Sequence, residues 1–386
     1  MSLAFQFATA GEIVFGAGSL ARIGPAARAW GRRALLVTGG TPERAAPVAE
    51  ALREARVENA VFPVRHEPTV PAVREGVESA RAAGCDLVVA IGGGSVIDSG
   101  KAIAILLSNG GDPLDYIEVV GKGRTFQSPS APVVAVPTTA GAGAEVTKNA
   151  VLGVPEHRVK ASLRSPFLVP RMALVDPELM LTLPPALTAS TGLDALTQLI
   201  EPFVSSRANA FTDMFCLEGI RRAAAALPRA FRDGRDPAAR EDMAMASLLG
   251  GLALANAGLG AVHGFAAPVG GMFPAPHGAV CAALLPGCIE VNLRALRSRA
   301  PGHPALERYR MAAALLTARP AARAEDGVEW IRARAREMSI PPLGAYGIRA
   351  ADVPDLVSKA AAASSMKANP IRLTEAELEA ALAAAL

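Results

Sequence analysis

Aromatic residues are scarce in this chain: Phe, Trp and Tyr together make up 4% of 386 residues. That scarcity, beside an excess of Ala, Arg and Pro, reflects a GC-rich composition and not chemistry, and no Lys/Arg block is present that could follow a phosphate backbone. The 39 basic and 36 acidic side chains nearly cancel, to a formal net charge of +3, and they are dispersed, so no nucleic-acid partner is expected. Cysteine is also rare. Cys85, Cys216, Cys281 and Cys288 make no CxxC pair and fall short of a disulfide scaffold, so they read as packed thiols. Uninterrupted apolar runs are missing as well. The stretch from Ala244 to Gly264 is rich in Ala and Gly and broken by Ser247 and Asn256, which suits a buried helix rather than a membrane span. The opening MSLAFQFATAGEIVFGAG has neither a basic start nor a small-residue cleavage site after an apolar run. No signal peptide, no membrane partner and a cytoplasmic location are therefore expected.

What is present is an apolar chain, 51% hydrophobic, which excludes disorder and at this length favours two domains. The first half alternates short apolar runs with helical patterns, the mark of a parallel α/β sheet. Strands are expected at 34–37, 60–64, 86–91 and 133–136, and helices over 42–55 and 70–83 and from Val96 onward. Beyond Val175 the Pro-punctuated DPELMLTLPPALTASTG leads into a region of almost unbroken helical periodicity. The reading is an α/β domain over 1–183 and an all-α domain over 184–386.

Two polar loops follow strands at their C-terminal ends, where open α/β sheets bind ligands. The run DLVVAI enters Gly92, Gly93, Gly94 and Ser95 and then a helix carrying Asp98 and Lys101. Glycines before a helix start let the backbone approach a phosphate, and the free amides and helix dipole favour negative charge there. The pattern is neither GxGxxG nor a Walker loop. The second loop, PTTAGAGAEVTKNAV over 137–151, sets Thr138, Thr139, Thr147 and Asn149 among small residues, as donors on a mobile backbone suited to clamping a cofactor.

These loops, in this order and separation, resemble the iron-containing (group III) alcohol dehydrogenase family. The resemblance runs from EIVFGAGSLARIG through VDPELMLTLPPALTASTGLDALTQLIEPFVS and HGFAAPVGGMFPAPHGAVCAALLP, to about Pro286. It implies a Rossmann-like dinucleotide-binding domain, binding NAD or NADP, and an all-helical metal and substrate domain holding one divalent ion, iron or zinc. The implied cofactor contacts are Gly93, Gly94, Ser95, Asp98, Thr138, Thr139, Thr147, Asn149 and Lys160. After the first strand the family often has an acid that rejects a 2′-phosphate. Here Gly39 stands in that place, so NADP is admitted, with Thr41 and Arg44 able to help hold it.

The family's metal ligands are an Asp and a His one helical turn apart plus two later His. Asp194, His263 and His277 match, whereas the helical His position is Gln198, a neutral and weaker donor. The site is therefore expected to be weak or empty. His263 and His277 stand out among five histidines, with His66, His157 and His303 read as ordinary. A second departure is Ala267, at a place where many relatives carry a proton-relaying histidine. Two mechanisms are open: an ion held by Asp194, Gln198, His263 and His277 polarises the substrate oxygen, or His263 or His277 alone acts as proton donor. Both give an alcohol dehydrogenase or aldehyde reductase acting on a small alcohol/aldehyde pair. The resemblance also implies a homodimer, with the segment 5–8 as a candidate pairing strand. The alternatives are a maleylacetate reductase-like oxidoreductase, a dehydroquinate synthase-like lyase and a nucleotide-binding degenerate dehydrogenase. The first wants an Arg cluster beside the two His segments, and the second wants Lys and Arg between Thr188 and Pro202; the sequence has neither.

Overall fold

A computed structural model describes residues 4–386. Ala8–Thr139 and Gly143–Met180 form one compact unit, and Leu181–Leu386, with Ala140–Ala142 and the segment up to Phe7, form the other.

The first unit contains strands β1 (Glu12–Phe15), β2 (Arg33–Thr38), β3 (Glu58–Pro63), β4 (Leu87–Gly92), β5 (Val133–Pro137), β6 (Asn149–Val154), β7 (Val159–Arg164) and β8 (Met172–Val175). Its helices are α1 (Ile23–Trp30), α2 (Ala46–Glu54), α3 (Val70–Ala82), α4 (Gly94–Asn109) and the single turn α5 (Pro113–Tyr116). Six strands make a wholly parallel sheet in the order β1-β8-β5-β4-β2-β3. Strands β4, β5 and β8 are buried at every position, as continuous runs such as LVVAIG require of strands covered on both faces. From β2 the chain moves outward to β3 at one edge, and from β4 it moves the opposite way to β5. The loops after β2 and β4 therefore flank a topological switch point, where such sheets take ligands.

Helix α4 lies tight on the sheet because residue 100 has no side chain: a Cβ there would come within 2.7 Å of the Ala90 Cβ. One residue on, Lys101 is fully buried. Its ammonium pairs with Asp98 at 2.9 Å and donates to the Ala144 carbonyl and the Thr147 hydroxyl, each at 2.9 Å, and to the Asn149 carbonyl. Asp98 in turn accepts from the Val151 amide at 2.9 Å. The segment 137–151, expected to be a mobile loop, is thus pinned from below. It contains a 3-10 turn at Ala144–Val146 and enters the antiparallel β6–β7 hairpin at Asn149. The hairpin was not expected, although β6 alternates half-buried and buried residues as a one-faced strand does.

The second unit is helical: α6 (Pro185–Val204), α7 (Ala210–Arg232), α8 (Pro237–Ala257), α9 (Ala261–Met272), α10 (His277–Arg299), α11 (Pro304–Thr317), α12 (Ala324–Glu337), α13 (Val353–Ala362) and α14 (Glu375–Ala383). The apolar stretch 244–264 is not one helix, since α8 and α9 meet at 98°. Only α10 among the described residues is singly long and apolar enough to cross a membrane, and 83% of that window is buried inside the protein. The segment 5–8 is a further correction: it forms no strand in this chain. Phe5 and Phe7 instead set their rings on Phe211 of α7, at 5.8 and 4.9 Å between centroids.

Two outcomes test the pinned loop. Replacing Lys101 with Met leaves Asp98 without its cation, and denaturation should show a loss of about 3–5 kcal/mol. Burial raises the Glu145 carboxyl from 4.5 to about 7. A raised acid favours the folded state while protonated, so its contribution is full below pH 4.5 and declines as pH rises toward 7. Glu145→Gln should therefore gain on wild type by roughly 3 kcal/mol between about pH 5 and about pH 8 in parallel melts.

Candidate active site and metal centre

At the switch point, Gly93 precedes α4 in extended conformation, and no side chain caps the helix. The first amides of α4, on Gly94 and Ser95, thus have no intrahelical acceptor, and the positive end of a sixteen-residue helix stands behind them. Gly39 and Thr41 follow β2, and Thr138 and Thr139 follow β5, on either side of that helix start. A Cβ at residue 39 would meet nothing within 4 Å, so the place beside β2 is open. Asp98 and Thr147, expected as cofactor contacts, are engaged inside the protein by Lys101 and the Val151 amide. Asn149 supplies its carbonyl to the same lysine. Lys160, on β7, pairs with Glu67 at 3.2 Å.

In the helical unit, α6 puts Asp194, Gln198 and Glu201 on one face at spacings of four and three residues. All three are buried. Helix α9 brings His263 and α10 opens with His277, followed one turn later by Cys281. Asp194, His263, His277 and Cys281 each offer a ligand atom, all within 4.8 Å of one another. The His263 Nε2 lies 3.5 Å from Asp194 Oδ1 and the His277 Nε2 lies 3.9 Å from it. The sulfur of Cys281 lies 3.7 Å from His277 Nε2 and 3.9 Å from His263 Nε2. These spacings are too long for strong hydrogen bonds. They approach the edges of a tetrahedral site with metal bonds near 2.0–2.3 Å, about 3.3–3.6 Å by geometry.

Two buried oxygens in the cluster, Asp194 Oδ1 and Gln198 Oε1, have no hydrogen-bond partner. Orphaned acceptors are rare in folded proteins and here call for a cation. The donor set thus fits a divalent metal. Glycine at 278 allows the assembly: a Cβ there would approach the Ser190 carbonyl of α6 to 2.6 Å, so α10 could not begin where it does.

The ligands are held from behind. His263 Nδ1 meets Glu201 Oε2 at 2.7 Å, which turns Nε2 toward the cluster. The other Glu201 oxygen accepts from the Val262 amide at 2.7 Å, and Asn369 Oδ1 accepts from the Ala261 amide at 3.2 Å. Gln198 donates to Asp194 Oδ2 at 3.1 Å. Burial pushes Asp194 up, but His277 and His263 more than offset it and hold the carboxyl below its ordinary range. The neighbouring Cys281, with Asp194 adding to the rise, lifts His277 to about 9 against the effect of burial. Burial weighs most against protonated His263, yet Cys281, Asp194 and Glu201 together raise it well above the ordinary value. Protons and a cation compete for these lone pairs, so metal binding releases protons.

The structure brings together Asp194, Gln198, His263 and His277 as expected neighbours and adds Cys281, Glu201 and Asn369. Cys281 was readable as a thiol one turn after His277, and Glu201 as the residue two turns after Asp194. Asn369 carries no local signal. His66 and His157 are exposed, and His303 caps α11 by accepting from the Ala305 amide. Ala267 presents a half-buried methyl one turn after His263.

Residues 10–177 match the iron-containing alcohol dehydrogenase family, and residues 188–386 match the C-terminal part of the Fe-containing alcohol dehydrogenase family. The 1,3-propanediol dehydrogenase of Klebsiella pneumoniae is 43% identical over 243 residues, 63% of this chain and 62% of that enzyme. The NAD-dependent methanol dehydrogenase of Bacillus methanolicus is 37% identical over 74% of this chain and 75% of its own length. The structure of an alcohol dehydrogenase from Oenococcus oeni superposes with a TM-score of 0.91 at 30% identity, covering 99% of this chain and all of that one.

Removing the support behind His263 should weaken metal retention. Glu201→Ala is expected to bind zinc about 10–100-fold less tightly than wild type in competition with a chromogenic chelator. Equal affinities would show that the ring needs no carboxylate to hold it.

Proposed function

The chain belongs to the iron-containing alcohol dehydrogenase family, and from that premise we propose that it interconverts a small alcohol and its aldehyde with a nicotinamide dinucleotide and a divalent metal. The observation that carries this reading is the convergence of Asp194, His263 and His277 around an orphaned carboxylate oxygen. When bound, the ion supplies Lewis-acid polarisation of the substrate oxygen, and the nicotinamide donates or accepts the hydride.

The protein's own groups bind and orient. Asp194, His263 and His277 would hold the ion, and Glu201 and Gln198 fix the ring and the carboxylate that face it. The amides of Gly94 and Ser95, with Gly93 leaving room beside them, receive the pyrophosphate. Thr138 and Thr139 offer hydroxyls next to that site. Lys101, through Asp98, Thr147 and Asn149, keeps the second loop in place. Lys160 sits on the hairpin that this loop enters. At Ala267 the protein offers no proton-carrying side chain, so the alcohol proton leaves by water or a cofactor hydroxyl.

The open space at Gly39 and the absence of an acid there support use of NADPH as well as NADH, with Thr41 and Arg44 beside the place of a 2′-phosphate. A cytoplasmic homodimer is part of the same reading. It draws support from family membership and from the exposed apolar side chains of Phe5, 50% accessible, and of Met214 on α7, 54% accessible.

The test is oxidation of NADH and NADPH with an aldehyde panel, on protein as purified, after chelation and after metal return. Activity lost and restored with metal is expected. A folded, metal-loaded protein inert toward every aldehyde with both cofactors would sink the proposal. Gly39→Asp should raise the NADH:NADPH ratio of kcat/KM at least about tenfold, roughly 1.4 kcal/mol of repulsion against the 2′-phosphate. An unchanged ratio would move cofactor choice elsewhere.

A further inference from the structure

Two neutral or ionisable groups compete to be the fourth ligand: the amide oxygen of Gln198 and the sulfur of Cys281. Gln198 spends its amide nitrogen on Asp194 Oδ2 at 3.1 Å, while its buried oxygen, a neutral donor, has no hydrogen-bond partner. Cys281 lies on α10 one turn after His277, fully buried, with its sulfur 3.7 and 3.9 Å from the two imidazole nitrogens that also face Asp194. A cysteine paired with a histidine for nucleophilic work needs one imidazole; here two imidazoles and a carboxylate share the sulfur's surroundings, which is the arrangement of a chelate.

Charge decides between the two. A divalent cation beside Asp194 and a neutral amide leaves one net positive charge buried, whereas Asp194 and a thiolate cancel it. Burying uncompensated charge is costly. Coordination deprotonates a thiol, and its proton passes to solvent. We propose that Cys281 is a metal ligand, completing an Asp194–His263–His277–Cys281 set, and that Gln198 is a positioning residue that orients Asp194. A sulfur ligand makes this a soft centre that selects zinc over harder cations. Were zinc bound, Asp194, His263, His277 and Cys281 would hold it, and it would supply Lewis-acid polarisation of the substrate oxygen. This inference rests on the metal reading of the cluster and not on the identity of the alcohol.

X-ray absorption of the zinc-loaded wild-type protein reads the ligand directly. One sulfur at about 2.3 Å beside nitrogen and oxygen at about 2.0–2.1 Å is expected. A shell of nitrogen and oxygen alone, or failure to retain zinc or cobalt, would overturn the assignment. With cobalt(II) in place of zinc, a sulfur-to-cobalt charge-transfer band in the near ultraviolet should appear in wild type and persist in Gln198→Ala. It should vanish in Cys281→Ser, which keeps bound cobalt. A band surviving in Cys281→Ser would also overturn it, and should that variant not fold, the wild-type absorption spectrum still decides. Aldehyde reduction by the same zinc-loaded sample separates the two readings. Turnover without a sulfur ligand removes Cys281 and keeps the dehydrogenase, while a sulfur ligand without turnover does the reverse.

Discussion

Glu201 joins the start of α9 to the metal-type cluster through a single buried carboxylate. One oxygen takes the Val262 amide and the other takes His263 Nδ1, both at 2.7 Å. Helix starts carry unsatisfied amides that demand acceptors, and an imidazole must be told which nitrogen to present. Because Glu201 meets both needs from α6, the helix that carries Asp194 also aims His263 at it. The geometry of the cluster is then a property of one helix face at Asp194, Gln198 and Glu201, against which α9 and α10 are placed.

The α/β unit solves a different problem with the same economy of means. A buried ammonium is tolerable only when its neighbours are fixed acceptors. Lys101 finds a carboxylate, a hydroxyl and two carbonyls, all but Asp98 from the segment between Ala144 and Asn149. That network holds a glycine-rich stretch which would otherwise have no reason to keep one conformation. Rigid support beneath a small-residue loop is what a site needs if it must admit a long dinucleotide without first ordering itself.

Much of this was legible in the chain, and the parts that were not share a cause. Continuous apolar runs such as LVVAIG and the helical periodicity after Val175 reflect burial that repeats along the sequence, so the parallel sheet and the helical region could be read. Asp194, His263 and His277 could be placed because the segments that carry them resemble the family's motifs. The end of α8 at Ala257 could be read from its periodicity, but α9 as a separate helix could not, because its start is fixed by contacts with Glu201 and Asn369 that lie elsewhere in the sequence. The 137–151 segment looked mobile because Lys101, its anchor, lies 43 to 48 residues before the groups it holds, and nothing in a sequence announces a buried amine's partners. Cys281 reads as a packed thiol in the sequence because the four cysteines make no CxxC pair. His277 is its neighbour on α10, and the folding of α6 and α9 against that helix adds Asp194 and His263.

Asn369 carries a consequence for how the protein is made. It binds the Ala261 amide and exchanges side-chain hydrogen bonds with Asn292 at 3.2 and 2.7 Å, tying a late stretch of chain to the helix that bears His263. During synthesis Asp194, His263, His277 and Cys281 all leave the ribosome well before this clasp, Cys281 by 88 residues and Asp194 by 175, and domains complete their packing only when their contacts are present. A nascent chain therefore exposes its metal-seeking groups before it can shape them. The surroundings of His263 are thus complete only once Asn369 has reached the Ala261 amide.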